Sequence, residues 1–312
     1  MPLVLIVAGP TASGKSALAL AIAEAFDGTI INADSMQVYR DLRVLTARPG
    51  PDAEARAPHR LYGVIDAAEA CSAGRWRRLA VAEIEAARGA GRLPVVVGGT
   101  GLYLHALLHG LAPVPPIPDA VRAEARGLHA ALGGVAFQAR LAERDPDAAW
   151  LAPGDTQRLI RAWEVLTATG RTLADWQRMP GGGERNGAAT VLLLPPRAAL
   201  YPACDARFAG MMELGAVEEV RALLARGLAP DLPAMKAVGV REIADMLRGR
   251  ATRDEAVAAA QQATRRYAKR QLTWIRHRMA GLQSLSLDAQ YSESLLPKIF
   301  AFIRQSLLTP GN

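Results

Sequence analysis

The chain has 312 residues, half of them hydrophobic, with 37 Lys+Arg against 30 Asp+Glu and a formal net charge of +7. That length admits one large or two moderate domains with an ample core, and the basic balance suits a polyanionic partner. Cys71 and Cys204 stand in no ligand-like spacing, no apolar run has the length of a membrane helix, and the N-terminus lacks the charged region of a signal peptide, so a cytoplasmic protein without disulfides, zinc or membrane contact is expected.

Residues 3–8 (LVLIVA) are a continuous apolar run, the pattern of a strand buried on both faces of a parallel sheet. Gly9, Pro10, Thr11, Ala12, Ser13, Gly14, Lys15 and Ser16 then match G-x-x-x-x-G-K-[ST], and a helical run over 17–26 follows. Strand, glycine loop and helix in that order define a phosphate-binding loop. Glycine lets successive backbone N–H groups turn toward an anion, and the helix N-terminus adds a positive dipole end. Lys15 supplies a point charge, and the Ser16 hydroxyl is placed to ligate Mg²⁺. The pattern calls for a polyphosphate or pyrophosphate and leaves open whether it belongs to a nucleotide.

Residues 29–33 predict a second strand, ending in Asp34-Ser35-Met36-Gln37-Val38-Tyr39-Arg40. An acid at the carboxyl end of a strand beside a phosphate loop lies where α/β sheets place their chemistry. Asp34 has three readings here: a carboxylate behind Mg²⁺, a general base, or a turn-capping residue. Residues 61–66 (LYGVID) predict a third strand, 74–89 a helix, and 93–97 a buried strand. The last runs into Gly98-Gly99-Thr100-Gly101-Leu102-Tyr103 and a helix over 104–108. Thr100 is either the polar group presented to the site or a helix cap. This alternation predicts an α/β fold with a parallel sheet of the P-loop type.

Residues 113–118 (PVPPIP) break the pattern, 119–176 read as helix almost throughout, 181–187 (GGGERNG) read as a flexible linker, and 190–194 return to the sheet. The expected organisation is a core in two parts, 1–112 and 188–312, with an all-helical insertion over 113–187. Within it Arg158 and Arg161 stand at i, i+3 on one helix face, either solvated or turned toward a polyanion. Residues 201–227 read as helix and carry Arg207; 234–242 (AMKAVGVRE) read as a loop entering a helix, with Lys236 and Arg241. Over 254–279, Leu272, Ile275 and Met279 form an apolar stripe. Arg265, Arg266, Lys269, Arg270, Arg276 and Arg278 are basic, and no acid occurs from 256 to 287. Such a helix, with Tyr267 and Trp274 interleaved, suits a phosphate backbone or is a solvated basic face. From 281 onward the pattern is weak.

Taken together, GPTASGKS (9–16), DSMQVYR (34–40), GGTGLY (98–103), QRLIRAWEV (157–165), CDARF with EEVRAL downstream, KAVGVRE (236–242) and ATRRYAKRQLTWIR (263–276) resemble the tRNA dimethylallyltransferase, or tRNA isopentenyl transferase, family. The blocks run in the family's order through about residue 280. The resemblance implies transfer of a dimethylallyl group from dimethylallyl diphosphate to N6 of the adenosine 3′-adjacent to the anticodon, tRNA position 37. It implies that residues 11–16 hold the pyrophosphate of the prenyl donor, with Mg²⁺ on Ser16 and with Arg207 as the family's pyrophosphate-contacting arginine. Asp34 would be the general base for the exocyclic amine, and Thr100 would orient Asp34 or the base. The base would be flipped out of the anticodon loop into a pocket lined by Ser35, Met36 and Gln37. Arg122, Gln157, Arg158, Leu159, Ile160, Arg161, Lys236, Arg241, Arg265 and Lys269 would contact the anticodon stem-loop. Thr156 stands where many relatives have proline, Val240 stands where tyrosine is common, and no zinc-finger extension follows; a compact, bacterial-type monomer is expected.

Three other functions share parts of this pattern. A small-molecule kinase would put ATP in the same loop, and an enzyme prenylating free adenine nucleotides would keep the loop, Asp34 and Thr100. An RNA-binding protein without catalysis would keep only the basic surface. None of them uses all the blocks together.

Overall fold

The computed structural model describes residues 3–179, 183, 187–279 and 283–308. The chain divides into two compact units, Met1–Leu108 with Glu184–Asn312, and His109–Gly183. The 181–187 linker expected from the sequence lies mainly outside the described residues.

The larger unit is built on a six-stranded parallel sheet in the order β3-β2-β4-β1-β5-β6. Its strands are β1 (Val4–Ala8), β2 (Gly28–Asn32), β3 (His59–Arg60), β4 (Leu93–Gly98), β5 (Ala188–Leu193) and β6 (Ser284–Leu287). The continuous apolar runs of β1, β4 and β5 follow from burial on both faces. Val4, Ile6 and Ala8 enter one core and Leu3, Leu5 and Val7 the other. Helices α1 (Lys15–Ala25) and α2 (Pro51–Arg56) precede α3 (Ala73–Gly89) and α4 (Gly101–His109) in the chain. The order passes from β4 through β1 to β5, so β1 is where the chain switches direction across the sheet. In open α/β sheets the binding crevice forms outside the carboxyl ends of the strands at such a point.

The smaller unit holds α5 (Asp119–Ala142), a 3-10 turn at Pro146–Trp150, α6 (Thr156–Thr169) and α7 (Leu173–Gln177). Phe137, Leu141, Leu159, Trp163 and Leu166 form its own core. Non-helical geometry at Gly133 (φ 72°, ψ 167°) kinks α5. After β5 the larger unit continues with α8 (Arg197–Glu213) and α9 (Ala216–Ala225), separated by Gly215 at φ 103°. Then come α10 (Val240–Leu247), α11 (Arg253–Arg278) and α12 (Leu296–Leu308). No helix among the described residues is long and apolar enough to cross a membrane.

One expectation is corrected. Residues 61–66 do not form a strand: β3 is the pair His59–Arg60, and Leu61 and Gly63 both sit at φ 63°, which breaks extended backbone. Only Ile65 makes an isolated bridge, to Tyr39. The weak pattern from 281 onward nevertheless covers two elements among the described residues: β6 extends the sheet beside β5, and α12 buries Ile299 and Ile303 in the second core. The four-residue SLSL run is too short to announce a strand without its neighbour.

Candidate active site

At the end of β1 the chain enters the phosphate-binding loop. Ala12 (φ 61°) and Gly14 (φ 85°) take left-handed backbone, which turns alternate peptide groups and builds an anion-binding concavity. The outward carbonyls are held by a late segment of the chain. Gln290 Nε2 donates to the Ala12 carbonyl at 3.1 Å, and the Tyr291 N–H donates to the Ser13 carbonyl at 3.0 Å. A cleft of about 250 Å³ opens there, lined by Gly14, Lys15, Ser16, Ala47 and Arg207 among others. Lys15 is 9% exposed and its Nζ donates to the Pro10 carbonyl at 3.2 Å. Burial, and then Arg207, lower its pKa to about 8 against the opposing pull of Asp34. Burial likewise lowers the pKa of Arg207. Two desolvated cations facing one cleft constitute a site for an anion.

Gly14 is required on two counts. A Cβ there would carry the left-handed strain and would meet Tyr291 Cβ at 2.7 Å, whereas Gly91, at φ 72°, has open space around it. Gly91→Ala should therefore cost about 1–2 kcal/mol of stability from backbone strain alone. Gly14→Ala should cost more, since it must also displace Tyr291. Urea unfolding of the two variants measures the difference, and equal midpoints would show that the Tyr291 contact yields freely.

At the end of β2, Asn32 shapes the turn that carries Asp34. Its Oδ1 accepts the Asp34 N–H at 2.8 Å, while its Nδ2 donates to the Asp34 carbonyl at 3.0 Å and the Leu61 carbonyl at 3.1 Å. Trp76 Nε1 from α3 holds the Asn32 carbonyl at 2.8 Å. Asp34 Oδ1 accepts from Met36 N–H at 2.9 Å, and its charge is felt by Lys15 and Arg207 and also by Tyr62, Tyr103 and Tyr267. Among the described residues no group is hydrogen-bonded to Oδ2. Thr100 closes the turn from the β4 side: its Oγ1 accepts the Ser35 N–H at 2.9 Å. Lys15, Asp34 and Thr100 thus lie beyond the carboxyl ends of β1, β2 and β4, and Arg207 of α8 lines the same cleft as Lys15.

The wall facing the loop is residues 41–48. The Glu219 carboxylate accepts N–H groups from Arg43, Val44 and Leu45 at 2.6, 2.7 and 2.9 Å. Arg207 Nη2 donates to the Thr46 carbonyl at 3.2 Å. Gln37 is buried, and its Nε2 donates to the Thr46 and Ala47 carbonyls at 2.9 and 3.2 Å. Its amide nitrogen is therefore engaged on this wall, while Ser35 and Met36 are half-buried beside Asp34.

The remaining predicted residues are distributed as follows. Lys236, Arg241 and Lys269 are exposed on the larger unit, and Arg265 is ion-paired with Asp205 at 2.5 Å. Val240 is buried in the core, so that position offers no stacking surface. In the smaller unit Arg122 and Gln157 are exposed. Arg158 lies 3.4 Å from Asp155, and Arg161 lies 3.2 Å from Glu164. Leu159 is fully buried in the core of its unit, because its place on α6 lies on the apolar face. Ile160 is partly buried against the same core. Sequence reading missed Asn32, Glu219, Gln271 and Gln290. Glu219 lies in the EEVRAL block and Gln271 in the 263–276 block, yet their hydrogen bonds run to backbone groups of distant segments, as do those of Asn32 and Gln290, and no side-chain spacing marks such a bond.

The fold and this site define a P-loop-type α/β protein with a cationic cleft, lined by Lys15 and Arg207, in the field of the Asp34 carboxylate. The IPP transferase family model matches residues 37–278. The chain is 61% identical over 280 residues to the tRNA dimethylallyltransferase of Rhodospirillum centenum, covering 89% of each, and 58% identical to that of Phenylobacterium zucineum, covering 92% and 94%. Its fold is similar to that of the tRNA isopentenylpyrophosphate transferase of Bacillus halodurans, with a TM-score of 0.72 and 30% identity over 99% of this chain and 98% of that one. The chain belongs to the IPP transferase family.

Proposed function

We propose that the chain transfers a dimethylallyl group from dimethylallyl diphosphate to N6 of the adenosine 3′-adjacent to the anticodon of tRNA, releasing diphosphate. The observation that carries this reading is the position of Asp34, whose carboxylate lies within the field of both Lys15 and Arg207 while Thr100 ties down the adjoining Ser35. A cationic cleft for a leaving diphosphate is therefore adjacent to a fixed proton acceptor. N6 attacks the allylic carbon, and the carbon–oxygen bond breaks with its electron pair leaving on the diphosphate. The N6 proton passes to Asp34. Lys15, Arg207 and the loop N–H groups stabilise the charge that grows on the leaving oxygen.

Magnesium fits the donor set. Ser16 lines the cleft, and no cluster of three His, Cys, Asp or Glu among the described residues forms a closed cage. Mg²⁺ is commonly held by few protein ligands plus substrate phosphates and water. It would be held by Ser16 and the diphosphate and would supply further neutralisation of the leaving group. Arg122, Gln157, Arg158 and Arg161 on the insertion, with Lys236, Arg241, Lys269 and Arg270 on the core, would take the anticodon stem-loop. Single-stranded loops are the usual targets of sequence-specific RNA recognition.

The test is a transfer assay with purified protein, Mg²⁺, labelled dimethylallyl diphosphate and unmodified tRNA, followed by nucleoside analysis. Free AMP and ATP hydrolysis run as parallel arms. Label on a tRNA adenosine is expected. Label on AMP alone, or ATP turnover without transfer, overturns the assignment. For the RNA surface, the Arg158→Ala/Arg161→Ala double variant should weaken tRNA binding and reduce the slope of log K against log salt by about one unit per arginine. An unchanged slope removes both from the RNA surface.

A further inference from the structure

Helix α11 buries Ala256, Ala260, Ala268, Leu272 and Ile275, and among these small and apolar side chains it also buries Gln271, 5% exposed. A buried amide in an apolar stripe is costly unless both its ends are hydrogen-bonded. Both ends are. Gln271 Oε1 accepts the Thr11 N–H at 2.8 Å, and Gln271 Nε2 donates to the Gly99 carbonyl at 3.0 Å. Thr11 opens the turn of the phosphate loop. Gly99 immediately precedes Thr100, whose hydroxyl accepts the N–H of Ser35, next to Asp34. One planar amide thus spans the gap between the loop that holds the leaving group and the strand end that fixes the base. A side chain at position 99 would strike the amide nitrogen, and its Cβ would stand 2.7 Å from the Gly9 carbonyl, so the close approach depends on glycine. Tyr267, one turn earlier on α11, lies against both Thr100 and Gln271.

We infer that Gln271 is a positioning residue for the transfer step, an inference that rests on the proposed reaction. It keeps the phosphate loop and the Asp34–Thr100 turn at one separation. Displacement at the allylic carbon needs N6, carbon and leaving oxygen aligned within a fraction of an ångström, and those atoms are held from opposite sides of this span. The chemistry of the residue is specific. Leucine makes neither bond. Ionised glutamate accepts from Thr11 but opposes the Gly99 carbonyl. Protonated glutamate makes both bonds, its hydroxyl donating to Gly99.

The experiment uses the full chain with Gln271→Leu and Gln271→Glu, each checked for cooperative melting. Calorimetry with inorganic diphosphate reads the donor loop without requiring transfer, and steady-state transfer to tRNA reads the step itself. For Gln271→Leu, diphosphate affinity and kcat should each fall about tenfold or more, with the tRNA KM within about twofold of the parent protein. For Gln271→Glu, activity relative to the parent protein at the same pH should rise as pH is lowered from about 8 to about 6, because burial favours the neutral acid that restores both bonds. Unchanged diphosphate affinity and kcat in a folded Gln271→Leu overturn the inference, as does a pH-independent activity ratio for Gln271→Glu. Failure of the parent protein to prenylate tRNA would instead count against the proposed reaction, leaving the diphosphate arm to judge Gln271.

Discussion

Replacing Asp34 with asparagine should lower transfer turnover by about 10²–10⁴-fold while leaving tRNA affinity within about twofold. The substitution is close to isosteric. Asparagine Oδ1 can still accept from the Met36 N–H, and the Asn32 contacts to the Asp34 backbone are untouched, so the turn should keep its shape. What is lost is the proton acceptor for an amine whose lone pair is delocalised into the purine ring. The measurement is kcat in the transfer assay beside tRNA binding on the same preparation. Equal losses in turnover and binding would make Asp34 a contact residue and not a base. A secondary effect has a defined sign. The Asp34 charge raises the pKa of Lys15, so Asp34→Asn should move the Lys15 titration to lower pH.

Replacing Lys15 with methionine should reduce kcat/KM for the prenyl donor by about 10²–10³-fold, the loss expected when a group stabilising the leaving charge is removed. The pH profile of the parent protein carries the same information. Lys15 titrates at about 8 in the folded chain, against an ordinary value of 10.5, because burial penalises its charge. The free enzyme therefore loses this cation as pH rises through about 8, and kcat/KM for the donor should fall above that point and be flat below it. Stability should move the other way. Between about 8 and 10.5 the unfolded chain binds the proton that the folded chain has released, so the Lys15 contribution to stability rises with pH in this window. Opposite trends in donor kcat/KM and in the denaturation midpoint identify Lys15. In Lys15→Met both trends should disappear, and a persistent alkaline limb would assign it to another group.

The local order around the site was legible because it depends on neighbours in the chain. Six apolar residues, a glycine loop with Lys15 and Ser16, and a following helical run specify β1, the phosphate loop and α1 with little outside help. Asp34 and Thr100 each close a strand. A parallel sheet delivers strand ends to one edge, so their meeting with Lys15 followed once the strands were recognised. Arg158 and Arg161 were legible as a polar helix face, whereas the burial of the Leu159 side chain between them was not. A sequence block names a helix, but only the packing of α6 against Phe137 and Leu141 decides which side is inside.

The sequence by itself determined the phosphate loop, the alternation of strands and helices in the core, and the acid-free basic stretch that became α11. All of these rest on periodicity, glycine and proline geometry or charge over a few turns of chain. Only the tertiary structure decided that Gln271 bonds Thr11 from 260 residues away and that Gln290 reaches the Ala12 carbonyl across 278. It also decided that Glu219 gathers the N–H groups of residues 43–45 and that four residues of the late chain become β6. A glutamine or glutamate that bonds backbone has no partner side chain to mark it, and a short edge strand exists only where a neighbour offers its hydrogen bonds. Such contacts become visible only when the sheet brings distant segments to within 3 Å of one another.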